Sequence, residues 1–207
     1  MGLSFTSINR LFMFMQQLQS DIYPEAATPI HDEITGKALS YLLDQYPQSP
    51  GAKVLDVGCG QGVSLDRFRA LGFCATGVNL DKTDIEACLG KGHHVLQMDQ
   101  SFLEFPDESF DLVWARHVIE HSIFPYFTLS GFARVLKPGG ILYLEVPGGE
   151  TTYRHELNLN HYSILSHTMW LSLMERVGLP VQDAQKYFLK SEHGPDEYWG
   201  FYGVKVK

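Results

Sequence analysis

At 207 residues, with 44% hydrophobic and 13% aromatic content, the chain is long enough to bury one sizeable core and too apolar to be disordered. Its formal net charge of −8 argues against a nucleic-acid partner, which calls for a basic face to replace phosphate counterions. The three cysteines, Cys59, Cys74 and Cys88, form no CxxC pair and leave an odd thiol, which fits a reducing, cytoplasmic setting.

Near the N-terminus, LFMFMQQLQ is too short and too soon polar to span a bilayer. It also lacks the basic start and small-residue cleavage site of a signal peptide, so no membrane partner is expected. Ile8, Leu11, Phe12, Met15 and Leu18 recur at helical spacing, and Ile34, Ala38, Leu42 and Leu43 do so again after the loop YPEAATPIHDE. Residues 1–50 therefore read as a helical lid or flank, the lid carrying Tyr23 and His31 towards the site. Residues 51–207 read as the main domain.

From YPQSPGAK onward strands and helices alternate. KVLDVG is a short buried run of the parallel type. SLDRFRALG is a helix closed by Gly72, with Leu65, Phe68 and Leu71 inward. FCATGVN, HHVLQMD, FDLVWA and ILYLEVPG follow as strands. KTDIEACLG, YFTLSGFARVL (ended by KPGG) and SILSHTMWLSLMERVGL follow as helices. Runs near 183–190 and 198–206, separated by SEHGPDE, read as an antiparallel hairpin on one edge. The fold expected is α/β: a doubly wound, mostly parallel, seven-stranded Rossmann-like sheet with ligands at the carboxyl ends of its strands.

Two stretches carry chemistry. ARHVIEH, residues 115–121, contains H-x-x-E-H, the zinc pattern of inverted metallopeptidases. It directly follows a strand, however, and the downstream acids that could serve as a third ligand, Glu192 and Glu197, fall in the expected hairpin loop, so no metal is expected. VLDVGCGQG, residues 54–62, places Gly58, Gly60 and Gly62 between a strand ending near Asp56 and a helix. Glycines there let the backbone turn tightly and approach a ligand closely. The G-x-G-x-G spacing is not that of dinucleotide dehydrogenases, and no Walker lysine follows.

VLDVGCGQG resembles motif I of the class I S-adenosylmethionine-dependent methyltransferases. TGVNLD, LQMDQSFLEFPDESFDLVWARHVIEH and ARVLKPGGILYLEVPG resemble that family's later motifs in order, most closely those of its small-molecule, quinone-biosynthesis branch. The likeness is strong over about residues 51–148. It implies S-adenosyl-L-methionine as cofactor, with Gly58, Cys59, Gly60 and Gly62 under the methionine portion and Asp56 near its amino group. Asn79 stands where the family usually has the acidic residue that takes both ribose hydroxyls, and Asp81 is the carboxylate that could replace it. Asp99 and Gln100, with Ser101, match the adenine side, flanked by Leu80 and Phe102. Arg116 and His117 open the loop on the sulfonium side.

Methyl transfer to oxygen or nitrogen of a small-molecule acceptor is the activity this resemblance implies, by a monomer or homodimer. Asn79 leaves room for a non-catalytic member that binds cofactor or a partner, and a protein methyltransferase is a further alternative. Histidine suits deprotonation of an acceptor hydroxyl near neutral pH. His161 and then His121 are the candidates expected to be catalytic, ahead of His117, His155 and His167. The polar, aromatic segment TTYRHELNLNHYS supplies Tyr153, Arg154, His155 and Tyr162 as candidate acceptor-binding residues.

Overall fold

The computed structural model describes residues 2, 4–19, 28–149, 151–191 and 194–206. Helix α1 (Phe5–Gln19) is followed by α2 (Pro29–Gln45), whose start is set by a capping box. The Thr28 hydroxyl accepts from the His31 amide, and the Thr28 amide donates to His31 Nδ1, ahead of Pro29 at the first helical position. His31 thus serves a helix cap rather than the site. Tyr23 lies outside the described residues.

The alternating elements then run β1 (Lys53–Val57), α3 (Val63–Ala70), β2 (Cys74–Asn79), α4 (Lys82–Gly90), β3 (His94–Gln97), β4 (Phe110–Arg116), α5 (Pro125–Val135), β5 (Leu136–Pro147), α6 (His167–Arg176), β6 (Val181–Ser191) and β7 (Gly194–Val204). Among the described residues they form one seven-stranded sheet of order β3-β2-β1-β4-β5-β7-β6. The first five strands pair in parallel, and β7 lies antiparallel between β5 and β6. The expected sheet and edge hairpin are both present. The strand order reverses between β1 and β4, which opens a crevice at their carboxyl ends.

Alternation along the central strands divides the core between the two faces. Leu55, Val57, Val113, Ala115, Leu142 and Leu144 pack with Leu129 and Phe132 of α5 and Trp170 and Met174 of α6. Val54, Leu112, Trp114, Ile141 and Tyr143 pack on the opposite face with Ala38 and Leu42 of α2, Leu65 and Phe68 of α3 and Cys88 of α4. Leu71, expected inward, is 42% exposed because α3 ends at Ala70 and the chain turns away at Gly72. Helix α6 starts at His167 rather than Ser163, since Ser166 caps it by accepting from the Met169 amide. Strand β5 starts at Leu136, crossing the KPGG segment through a register shift. The hairpin strands reach Ser191 and Gly194, so Glu197 lies within β7, where it accepts from Lys186 Nζ at 2.9 Å. Among the described residues no helix is long and apolar enough to cross a membrane.

The second face also carries charge. Arg116 and Glu145 are paired in register across β4 and β5, and an Arg116 Nη2 donates to Glu145 Oε1 at 2.7 Å. Glu145 is 1% exposed, and it also accepts from Tyr143 and contacts His117 Nε2 at 2.7 Å. The other Arg116 Nη reaches the Thr35 hydroxyl of α2. Burial opposes ionisation of Glu145, but Arg116 and then His117 outweigh it and hold its carboxyl well below the usual carboxylate range.

Glu145→Gln should therefore cost about 3–5 kcal/mol, because it leaves the Arg116 charge buried without its counterion. A carboxylate depressed in the fold contributes stability at all pH values above its unperturbed 4.5, and that contribution is lost as pH falls below it. Thermal melts should show the wild type losing stability steeply below about pH 4.5, and Glu145→Gln losing less of it.

Candidate active site

The ends of the five parallel strands build one cleft, of about 210 Å³. From β1 come Val57, Gly58 and Gly60; from β2, Val78, Asn79 and Leu80, with Asp84 of α4; from the turn after β3, Met98, Asp99, Gln100 and Ser101. The turn after β4 adds His117, Val118, His121, Ser122 and Ile123, and the loop after β5 adds Asn160 and Tyr162. Met15 and Leu18 of α1 complete the wall.

The glycine turn has two functions. Gly58 has φ +69°, and a Cβ there would meet the Val118 side chain at 2.7 Å, so only glycine lets the β1 and β4 turns meet. Gly60 has φ +47°, faces the cleft, and has open space where a Cβ would stand, so a ligand can approach its backbone. Cys59 and Gly62 do not line the cleft. Cys59 turns into the sheet against Gly77, and Gly62 is the left-handed cap of α3.

At the end of β2, Asn79 is oriented by its neighbours. Its Oδ1 accepts from the amides of Leu80 at 2.7 Å and Asp81 at 3.3 Å, and its Nδ2 donates to Asp84 Oδ2 at 3.3 Å. Asp81 does not replace the missing carboxylate. Its Oδ1 caps α4 by accepting from the Asp84 amide at 2.9 Å, and it is not part of the cleft wall. The carboxylate that reaches the cleft beside Asn79 is that of Asp84. Sequence reasoning missed it, although its place three residues after a helix-capping aspartate was the available signal.

Asp99 accepts from the Ser101 amide at 2.8 Å, a turn that holds it at the cleft edge. Gln100 Nε2 donates to the Val118 carbonyl at 2.7 Å, and its buried Oε1 has no partner among the described residues. Leu80 lines the cleft, whereas Phe102 is 46% exposed against Phe127 and does not.

Asp56 and Arg116 are set back from the cleft. Both point to the sheet face covered by α2, where Arg116 is committed to Glu145 and Thr35. Asp56 is 2% exposed and its Oδ2 lacks a partner among the described residues. Burial, then the nearby Cys88, push its carboxyl up to about 8 against the pull of Arg116, so it is largely protonated at neutral pH. His117 does line the cleft, with φ +51°, Nε2 on Glu145 and its ring stacked on Tyr198 at 4.4 Å.

The H-x-x-E-H segment is not a helix. His117 is left-handed and only Ile119–His121 form a short 3-10 turn, so the two histidines do not share one helix face. His121 lines the cleft and donates Nδ1–H to the Asn160 carbonyl at 2.9 Å. His161 stands behind it, ring centroids 4.9 Å apart, and is not part of the cleft wall. Burial, then His121, lower the His161 pKa to about 4, which makes it a weak base at neutral pH.

Of the candidate acceptor residues, Tyr162 lines the cleft and Tyr153, Arg154 and His155 do not. Arg154 is turned to solvent and pairs with Glu156. His155 is 4% exposed and bonded to Asp196 at 2.9 Å, and Tyr153 covers it with rings 4.7 Å apart.

Residues 55–144 match the sequence profile of a family described as a methyltransferase domain. The chain is 30% identical over 122 residues to 27-O-demethylrifamycin SV methyltransferase of Amycolatopsis mediterranei (strain S699), covering 55% of this chain and 45% of that one. It is 28% identical over 131 residues to the ubiquinone biosynthesis O-methyltransferase of Pasteurella multocida (strain Pm70), covering 56% and 54%. It thus spans about half the length of the curated relatives it matches. Its fold is that of phosphoethanolamine N-methyltransferase 2 of Haemonchus contortus, solved in complex with S-adenosyl-L-methionine. The TM-score is 0.70 at 18% identity, over 83% of this chain and 53% of that one. The cleft lies where the glycine turn of β1 meets the ends of β2 and β3, and most of the residues that line it fall within the stretch that is similar to a methyltransferase domain.

Proposed function

We propose that this protein transfers a methyl group from S-adenosylmethionine to an oxygen of a small-molecule acceptor. The observation that carries this reading is the convergence of Gly58 and Gly60, the Asn79–Asp84 pair, and Asp99 with Gln100 on one cleft. Backbone groups of the glycine turn suit the methionine portion. Asp84 accepts from a ribose hydroxyl, and the amide hydrogen that Asn79 does not give to Asp84 donates to a ribose oxygen. Val78, Leu80 and Met98 supply an apolar slot for the adenine ring, with the carboxylate of Asp99 and the buried Oε1 of Gln100 as acceptors for its amino group.

Bound S-adenosylmethionine supplies a methyl on a sulfonium, whose S–C bond breaks with the electron pair left on sulfur as the new C–O bond forms. The protein's part is to position the acceptor oxygen in line, exclude water and take up a proton. Met15 and Leu18 wall the cleft from the α1 side, so we assign α1 the lid role. The Glu120–His121–His161 group is where the acceptor hydroxyl loses its proton, and His121, the member that faces the cleft, comes nearest to it. The names of the two curated relatives, one an O-methyltransferase and the other a methyltransferase named for a 27-O-demethyl compound, favour oxygen over nitrogen. Asp56, set back and protonated, supports the site from beneath.

Calorimetric titration should show the wild type binding S-adenosylmethionine and S-adenosylhomocysteine, and Asp84→Asn and Asp99→Ala each binding at least about tenfold more weakly, about 1.4 kcal/mol. Absence of wild-type binding would overturn the assignment. Once an acceptor is found, His121→Ala should lower kcat by roughly 10²–10⁴-fold with cofactor affinity unchanged. A loss confined to KM would remove His121 from the proton transfer.

A further inference from the structure

We propose that Glu120, His121 and His161 bind a divalent transition-metal ion, Zn2+ by preference, behind the part of the cleft wall that His121 forms. One ligand atom from each of the three lies within 4.8 Å of the other two. Two imidazoles and one carboxylate with an open fourth position form a donor set well suited to a zinc site that retains a place for substrate.

Both rings are set for ligation. A carbonyl oxygen can only accept, so His121 must carry its proton on Nδ1, facing the Asn160 carbonyl at 2.9 Å. His161 must do the same, facing the His155 carbonyl at 3.0 Å. Each Nε2 therefore presents a lone pair. That of His161 accepts from Asn158 Nδ2 at 3.2 Å, a direction fixed because Asn158 Oδ1 accepts from the Asn160 amide at 3.0 Å. Asn158 is exposed, so an ion can displace this weak donor. The His155 carbonyl is itself steadied, because the His155 ring is buried and held by Asp196. Imidazole ligands oriented through their second nitrogen are the usual support of a metal centre.

Glu120 provides the second, independent indication. It is 2% exposed, and Oε2 has no hydrogen-bond partner among the described residues. A buried carboxylate oxygen left without a donor is costly, and a cation between it and the two imidazoles would satisfy it. The two segments that carry the ligands are joined. The Glu120 carbonyl accepts from the amides of Tyr162 at 2.8 Å and Ser163 at 3.0 Å, and Ser163 Oγ donates to the Ser122 carbonyl at 2.6 Å. Ligand atoms on one tetrahedral Zn2+ stand roughly 3.3 Å apart, given bonds of about 2.0–2.1 Å. Closure thus asks for side-chain torsion on a backbone already tied together. His117, the other histidine of the H-x-x-E-H run, is excluded by its bond to Glu145.

The ion's role rests on the methyltransferase reading. With the ion bound, His121 Nε2 is a ligand and no longer a base; an acceptor hydroxyl coordinated at the open position would instead be acidified, lose its proton to solvent at lower pH and keep its oxygen turned to the cleft. Ion binding itself does not rest on that reading, and the test separates the two. Tag-free protein stripped with chelator is titrated with Co2+ and then Zn2+ alone, and the same samples are titrated with S-adenosylmethionine. We expect one ion per chain, a visible Co2+ band of tetrahedral type displaced by Zn2+, and at least about tenfold weaker binding in Glu120→Gln and His161→Gln. X-ray absorption of the Zn2+-loaded wild type should show two imidazoles, a result that needs no variant to fold. No stoichiometric ion on the wild type, unchanged binding in both variants, or absence of the imidazole signature would overturn the proposal. If S-adenosylmethionine still binds in that case, the methyltransferase reading stands; if only the ion binds, the reverse holds.

Discussion

The ion pair between Glu145 and Arg116 is the constraint on which the site depends. Both residues sit at the carboxyl end of the sheet, in register, on the face covered by α2. Two charges that deep need each other, and their remaining polar groups reach Tyr143, Thr35 and His117. This one cluster therefore anchors α2 to the sheet and holds His117 in a left-handed conformation that most residues avoid. From His117 the chain leaves β4 sharply, so that Val118 fills the space left by Gly58 and the Ile119–His121 turn comes to the cleft.

On the proposed reading, the cofactor side keeps its function while the group that performs it has moved. With Asn79 at the end of β2, the carboxylate comes from Asp84 on the first turn of α4, and the Asn79 amide bonds to it. Two amides occupy the Asn79 oxygen, so the side chain's free hydrogen is the part left for a ligand. A donor and an acceptor on adjacent groups can serve two ribose hydroxyls as one carboxylate does, which supports a working site despite the substitution.

Beyond the sulfonium side, histidines are concentrated in a small volume, and burial sorts them. His155 is fixed to Asp196 and His117 to Glu145, leaving His121 and His161 against the buried carboxylate of Glu120. On the proposed reading proton removal belongs to this group, while α1 contributes only the apolar Met15 and Leu18 to the cleft wall.

Much of this was readable in the residues themselves. The short apolar runs and their alternation determined the α/β sheet, because burial on both faces leaves little choice of element. The glycine spacing determined where a ligand could approach, because only glycine adopts those dihedrals without a Cβ in the way. Gly58, Gly60, Asn79, Leu80, Asp99, Gln100, His117, His121 and Tyr162 all reach the cleft. The direction of a side chain at a strand end was not readable, because it depends on which face of the sheet the register presents. Asp56 and Arg116 therefore read as ligand-facing yet are buried beneath the site, and Arg154 and His155 turn to solvent and to Asp196. Only the tertiary structure decided that Asp84, five residues past the expected position, holds the carboxylate. It alone decided that Glu120 and His121 meet His161 rather than His117, since His117, left-handed just after β4, is held by Glu145 while His121 meets a loop some forty residues later in the chain.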